Sequence, residues 1–191
     1  MHNMSFLKYS GIVAAILAWL IIVASVSINP WFVFTKNAFS DLGGPVATDP
    51  WLYNYGLIAV AIFTFMYGAY LAAINEEKIE VIGSSFVMVA SIFLALIGIF
   101  HEGTYPHVFV STWFFVQFDI AILIYGIGLL TRMKKLGISM ILLFLVATLL
   151  AILVPWPSAA TVEAWGISAI DVWVIISYMS QKKISEGKIK N

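Results

Sequence analysis

Two short polar stretches carry most of the groups capable of chemistry. Lys36-Asn-Ala-Phe-Ser-Asp-Leu-Gly-Gly-Pro45 holds Asn37, Ser40 and Asp41, and the run "GIFHEGTYPHVFVST" holds His101, Glu102, His107 and Ser111. A carboxylate beside an imidazole can orient it or share its proton, and a serine within reach can act as nucleophile or as hydrogen-bond donor to a headgroup. His107, Glu102, Asp41 and Ser40 are therefore the candidate catalytic set, with Asn37 and Ser111 as substrate contacts. His107 and Ser111 are one helical turn apart and would share a face. Two histidines six apart do not reproduce the zincin spacing, and no G-x-S-x-G is present. His101, His107 and Asp41 would give zinc three ligands and leave the fourth position open. No motif calls for a cofactor, and interfacial hydrogen bonding is the simplest role for the histidines.

These groups are embedded in a chain with the composition of a membrane protein. Of 191 residues, 62% are hydrophobic and 10% charged, and the mean hydropathy is +0.98, whereas a soluble chain is about one quarter charged. Cysteine is absent, which excludes disulfides, thiolate catalysis and cysteine-held metals. The net charge of zero gives no reason to expect nucleic acid as a partner; membrane lipid is the expected one. Apolar runs near 9–28, 51–74, 81–100, 109–130, 137–155 and 162–180 are each long enough to cross about 30 Å of hydrocarbon at about 1.5 Å per residue. The first lacks a cleavage site after a short apolar core and reads as a retained span. Apolar residues in blocks, without alternation, exclude a β-barrel. The expected fold is all-α: a polytopic membrane protein forming one six-transmembrane-helix bundle over residues 1–191.

Basic residues set the expected orientation. Lys8, Lys78, Arg132, Lys134, Lys135, Lys182, Lys183, Lys188 and Lys190 fall on the side of the termini, against Lys36 alone on the other. Both termini are thus expected in the cytoplasm of a multi-pass cell-membrane protein, with connectors 29–50, 101–108 and 156–161 outside. Glu76, Glu77, Glu80 and Glu186, interspersed with lysines, read as solvated faces. On the outer side the carboxylates reach into the membrane. Glu163 stands at the outer start of the sixth span, and Asp119 and Asp171 lie about 14–15 Å below the outer boundary, near the midplane. A carboxylate in hydrocarbon is normally turned toward a bundle interior, a partner or water. Glu163, Asp119 and Asp171 are accordingly candidate substrate contacts in an outward-opening polar cavity. The two aspartates could also handle protons as a pair, or simply fix helix packing.

The connector of about twenty residues after the first span is long for a bundle, and its Phe32-Val33-Phe34 and Ala38-Phe39 pieces argue for a folded cap rather than disorder. Gly43-Gly44-Pro45 marks a turn in it. The N-x-x-S-D-L-G pattern, here Asn37 to Gly43, together with Glu102, His107, Ser111 and Phe114-Phe115, resembles a family of uncharacterised six-span membrane proteins of prokaryotes, common in archaea. More distantly it resembles the damage-regulated autophagy modulators and the factors that remodel glycosylphosphatidylinositol anchors. Those relatives carry Phe-Pro before the glutamate, and Phe100-His101 departs from that pattern. The resemblance implies roles for Asn37, Ser40, Asp41, Glu102, His107 and Ser111, and an association with lipid. The expected function is outward-facing binding, with or without modification, of a lipid or amphiphile under the first loop. The alternatives are a proton- or cation-coupled transporter using Asp119 and Asp171, and a non-catalytic scaffold.

Overall fold

The structure, a computed structural model, describes residues 6–185; Lys188, Lys190 and Glu186 lie outside them. After a 3-10 turn at Leu7–Tyr9 come α1 (Ser10–Ser27), α2 (Pro50–Ile74), α3 (Lys78–Ile99), α4 (His107–Leu129), α5 (Lys134–Leu153) and α6 (Ala159–Ser185), with a short 3-10 helix, Phe39–Gly43, in the first connector. No strand occurs among the described residues. All six helices are long and apolar enough to span a membrane. The chain is a multi-pass membrane protein, and its fold is an all-helical six-span bundle.

Helix ends follow local chemistry. The helix α1 stops before Asn29-Pro30 and α5 before Val154-Pro155, because a residue preceding proline is pushed out of the helical region; Val154 is extended, with ψ 130°. Pro50 opens α2 at a position where its missing N–H is no loss. Ser158 accepts the Thr161 N–H at 3.2 Å and caps α6. Five helices begin earlier than the apolar runs do, α2 by the single residue Pro50 and the other four by two or three residues. Lys78, His107, Lys134 and Ala159 open them because polar first turns are good helix at the interface although they lower the hydropathy that marks a span.

Each helix packs on the next in chain order and α6 returns to α1, whereas the backbones of α4 and α6 stand farther apart and meet through side chains, Phe115, Phe118 and Tyr125 against Gly166 and Trp173. Small residues allow the closest approaches: a Cβ at Gly83 would fall 2.8 Å from the Tyr125 backbone, and one at Gly128 would be 2.9 Å from the Glu80 backbone. At the centre Trp173 is fully buried, with Tyr67, Phe118 and Tyr125 edge-on at 5.8, 5.2 and 5.9 Å. Leu20, Val23, Tyr55, Ile152 and Leu153 are among the exposed apolar side chains, as a lipid-facing surface requires.

The end of the bundle that carries the termini holds a feature opposite to the sequence reading. Glu76 and Glu77 are exposed, but Glu80 is fully buried. Arg132 donates to both its oxygens, at 2.9 and 2.6 Å, and to Asn75 Oδ1 at 2.8 Å. Gln181 Nε2 donates to Asn75 Oδ1 at 3.0 Å and to the Tyr125 hydroxyl at 2.8 Å. One network thereby joins α3, α4 and α6 to the connectors. Sequence spacing could not separate Glu80 from its solvated neighbours, because its partner lies 52 residues away.

Removing one partner strands the other as an unpaired buried charge. Arg132→Met is expected to destabilise the detergent-solubilised protein by about 3–5 kcal/mol. The double variant Glu80→Leu, Arg132→Met should recover most of that loss. Thermal unfolding followed by circular dichroism checks this, and equal melting temperatures for Arg132→Met and the parent would contradict it.

Candidate functional site

At the opposite end, residues 28–49 fold into a cap over the bundle mouth. Asn29, almost fully buried, fixes both ends of it: Oδ1 accepts the Thr48 N–H at 2.7 Å and the Trp31 indole N–H at 3.0 Å, while Nδ2 donates to the Ser25 carbonyl at 2.8 Å. Asn37 and Asp41 use their side-chain oxygens on the cap's own backbone. Asn37 Oδ1 accepts Val33 N–H and Asp41 Oδ2 accepts Ala38 N–H, each at 2.8 Å. Helix α6 fastens the cap from below. Glu163 Oε2 accepts the Phe39 N–H at 2.7 Å, the Ala160 N–H donates to the Asn37 carbonyl at 2.9 Å, and Ser158 Oγ donates to the Phe34 carbonyl at 2.6 Å. From α2, Asn54 donates to the Gly43 carbonyl at 3.0 Å. A side chain at Gly43 would collide with the Asn54 carboxamide, so only glycine lets the cap sit this low.

The second connector meets the cap at Glu102. Ser40, 6% exposed, directs its hydroxyl at Glu102 Oε2 over a long 3.5 Å, and a Cβ at Gly44 would lie 3.4 Å from that of Glu102. Gly103 sits at φ +90°, which favours glycine, against the Pro45 ring. His107 is buried. Its Nδ1 lies 2.8 Å from the Phe100 carbonyl and its Nε2 3.0 Å from Glu102 Oε2. A carbonyl only accepts, so Nδ1 carries hydrogen; the contact of Nε2 with a carboxylate oxygen then requires one further proton shared between them. These contacts occupy both imidazole nitrogens. His101 Nδ1 lies 2.9 Å from the Glu102 carbonyl, and Ser111 donates to the Val108 carbonyl at 3.2 Å. The structure thus brings Ser40, Glu102 and His107 together, sets Asp41 in the cap backbone beside them, and forms no serine–histidine hydrogen bond. Among the described residues no three histidine or acidic side chains gather as a metal-ligand set, so His101, His107 and Asp41 do not form the zinc triad.

Two cavities lie beneath. The central one, about 90 Å³, runs under Phe39 and Ser40 and is bounded by Tyr53, Ser111, Glu163 and Asp171 among mostly apolar neighbours. The lateral one, about 450 Å³, occupies the gap between α4, α5 and α6, with Ser111, Asp119, Thr148, Glu163 and Trp165 in its wall. Rim residues such as Val116 and Ile152 are exposed, so this groove opens on the lipid-facing surface. Ser111, Phe115, Phe118, Glu163 and Ile170 belong to both. The midplane aspartates divide between them and bridge different helices. Thr148 of α5 donates to Asp119 at 2.6 Å, and the Trp19 indole of α1 donates to Asp171 at 2.8 Å. Neither aspartate bonds the other. Asn29, Asn54 and Tyr53 escaped the sequence reading; the signal for Asn54 was an amide one turn inside an apolar run.

A model of the family described as protein of unknown function, DUF998, matches residues 12–179. The chain belongs to that family. The DUF998 match runs from α1 into α6, so the cap, the second connector and, Gly11 apart, the lining of both cavities lie inside it. No curated protein and no solved structure matches the chain.

Closure of the cap is directly measurable, because the chain has no cysteine of its own. Ser40→Cys should react with a maleimide at least about tenfold more slowly than Lys36→Cys, since modification at a buried site waits for local opening. Adding Gly43→Ala, which the Asn54 side chain cannot accommodate, should remove most of that protection. Equal rates for Ser40→Cys and Lys36→Cys would show that the cap does not cover the site.

Proposed function

We propose that this protein binds a membrane amphiphile, which enters sideways through the α4–α5–α6 groove and brings its headgroup to the Ser111–Glu163 wall beneath the cap. The observation that carries this reading is the shared wall. A polar surface covered from the aqueous side by the cap is continuous with a groove open to lipid, so a lipid can reach it without leaving the bilayer. The groove volume of about 450 Å³ falls within the roughly 300–1,000 Å³ usual for ligand sites. The lipid association implied by the cap and connector motifs points the same way. The Glu102–His107 pair serves binding by holding the second connector against Ser40 and Gly44. Turnover would ask it to release Nε2 toward a substrate.

The test fills the groove from its rim. Ala151 is exposed and lines the groove, so Ala151→Trp should obstruct the groove without burying the new side chain in the core. An alkyl amphiphile with a diazirine in its chain should crosslink to α4 or α6 of the parent protein, and Ala151→Trp should lose most of that yield. Equal yields, or crosslinks confined to the outer face of α1, would reject the groove as the site.

We place the cap on the outer face of the cell membrane on the strength of the lysine and arginine distribution. Lys36 and Lys135, both exposed, lie on opposite ends. In intact cells a membrane-impermeant maleimide should label Lys36→Cys but not Lys135→Cys, and the reverse pattern would invert the orientation.

A further inference from the structure

We infer that the amphiphile bound at the shared wall carries a positively charged ammonium head, recognised by Glu163 within an aromatic surround. The inference rests on the amphiphile-binding reading and adds the headgroup chemistry.

Charge points to this first. No lysine, arginine or histidine lines either cavity, and Lys36, the one lysine or arginine in the connectors at this end, is exposed. Glu102 is engaged by His107 and Ser40. Glu163 lines both cavities, and the cap that its Oε2 holds carries the Asp41 carboxylate. An anionic head would enter this wall against like charge with no cation to meet it, whereas an ammonium would supply the missing partner.

Hydrogen-bonding capacity is the second indication. Glu163 gives Oε2 to the Phe39 N–H, and a carboxylate has further acceptor sites on both oxygens. Ser111 and Ser40 donate their protons to Val108 and Glu102, which leaves oxygen lone pairs. The wall is thus rich in acceptors, and an ammonium offers donors only.

Tyr53 supplies an independent third observation. It is 7% exposed, lines the central cavity, and its hydroxyl has no hydrogen-bond partner among the described residues. A buried phenol is normally hydrogen-bonded; here the cavity is where its partner would sit. Around it, Phe39, Phe114 and Phe115 line the same cavity, with Phe114 and Phe115 edge to face at 4.8 Å. Aromatic rings beside a carboxylate are the surroundings in which alkylammonium groups are bound. Gly166, one turn below Glu163, admits the Phe115 ring, whose Cε1 would lie 2.7 Å from a Cβ there.

The test uses hexadecylamine, hexadecanol and hexadecanoate, each competing for crosslinking of the diazirine-bearing alkyl probe to protein in nanodiscs of neutral phosphatidylcholine. The amine should compete at least about tenfold better than the alcohol, the worth of one charge-assisted hydrogen bond, and the acid should be the weakest. Glu163→Gln keeps an oxygen for the Phe39 N–H and removes the charge, so it should erase the amine's advantage while the alcohol is unaffected. Tyr53→Phe should weaken the primary amine more than hexadecyltrimethylammonium, which has no N–H to donate. Slow labelling of Ser40→Cys in each background verifies that the cap stays closed. Nanodiscs of phosphatidylethanolamine should suppress amine binding if the natural head is that of a bilayer lipid, and leave it intact if it is a free long-chain amine; either result supports an ammonium ligand. Equal competition by all three compounds, or preference for the acid, overturns the charge assignment but leaves amphiphile binding standing. A probe that fails to crosslink to the parent at all overturns both.

Discussion

Of the hydrogen bonds that join the cap to α6, the one from the Phe39 N–H to Glu163 brings in a carboxyl side chain. It satisfies a backbone donor that would otherwise be buried unpaired under the cap, and it fixes a carboxylate at the junction of two cavities. Lipid offers no partners to either group, so each needs the other. The roof of the central cavity and the position of the shared wall follow from it, while Gly43 against Asn54 sets the cap's depth. Asn54, Ser158 and Asn29 then hold the cap in register around that point.

The same rule organises the rest of the bundle. Among the described residues every carboxylate drawn into the helices is met by a group on another element: Glu80 by Arg132, Asp119 by Thr148, Glu163 by Phe39, Asp171 by Trp19. These pairs orient helices whose apolar faces would otherwise slide, since hydrocarbon-facing side chains gain nothing from burial against one another. The polar groups therefore set which helices meet, and the small residues set how closely.

Much of this was legible in the chain. Spans, their number and the folded first connector follow from hydropathy and length, which are local properties. Pro106, Pro50 and Pro155 mark helix boundaries by their own geometry. Partners are a different matter. Nothing in the spacing of Glu76, Glu77 and Glu80 says that the third turns inward to an arginine beyond the next helix. Glu163 was visible as an intramembrane carboxylate, but its bond to a backbone amide 124 residues earlier was not. Asp41 shows the converse. Its place in a motif suggested chemistry, and the structure gives its carboxylate to the Ala38 N–H, a role that any short acidic side chain in a 3-10 turn can take. Tyr53 was indistinguishable from a membrane-interface tyrosine, because only the tertiary fold brings it to the wall of the central cavity.

The spacing of α6 from α4 has a mechanical meaning. The last helix is anchored at its cap end through Ser158, Ala160 and Glu163, near its middle to α1 through Asp171, and at its far end through Gln181. It is a beam held at both supports and propped between them, because Trp173 meets Phe118 and Tyr125, and Gly166 receives the Phe115 ring. The width of the lateral groove is therefore set by the rings that bridge it as much as by the fastenings at either end.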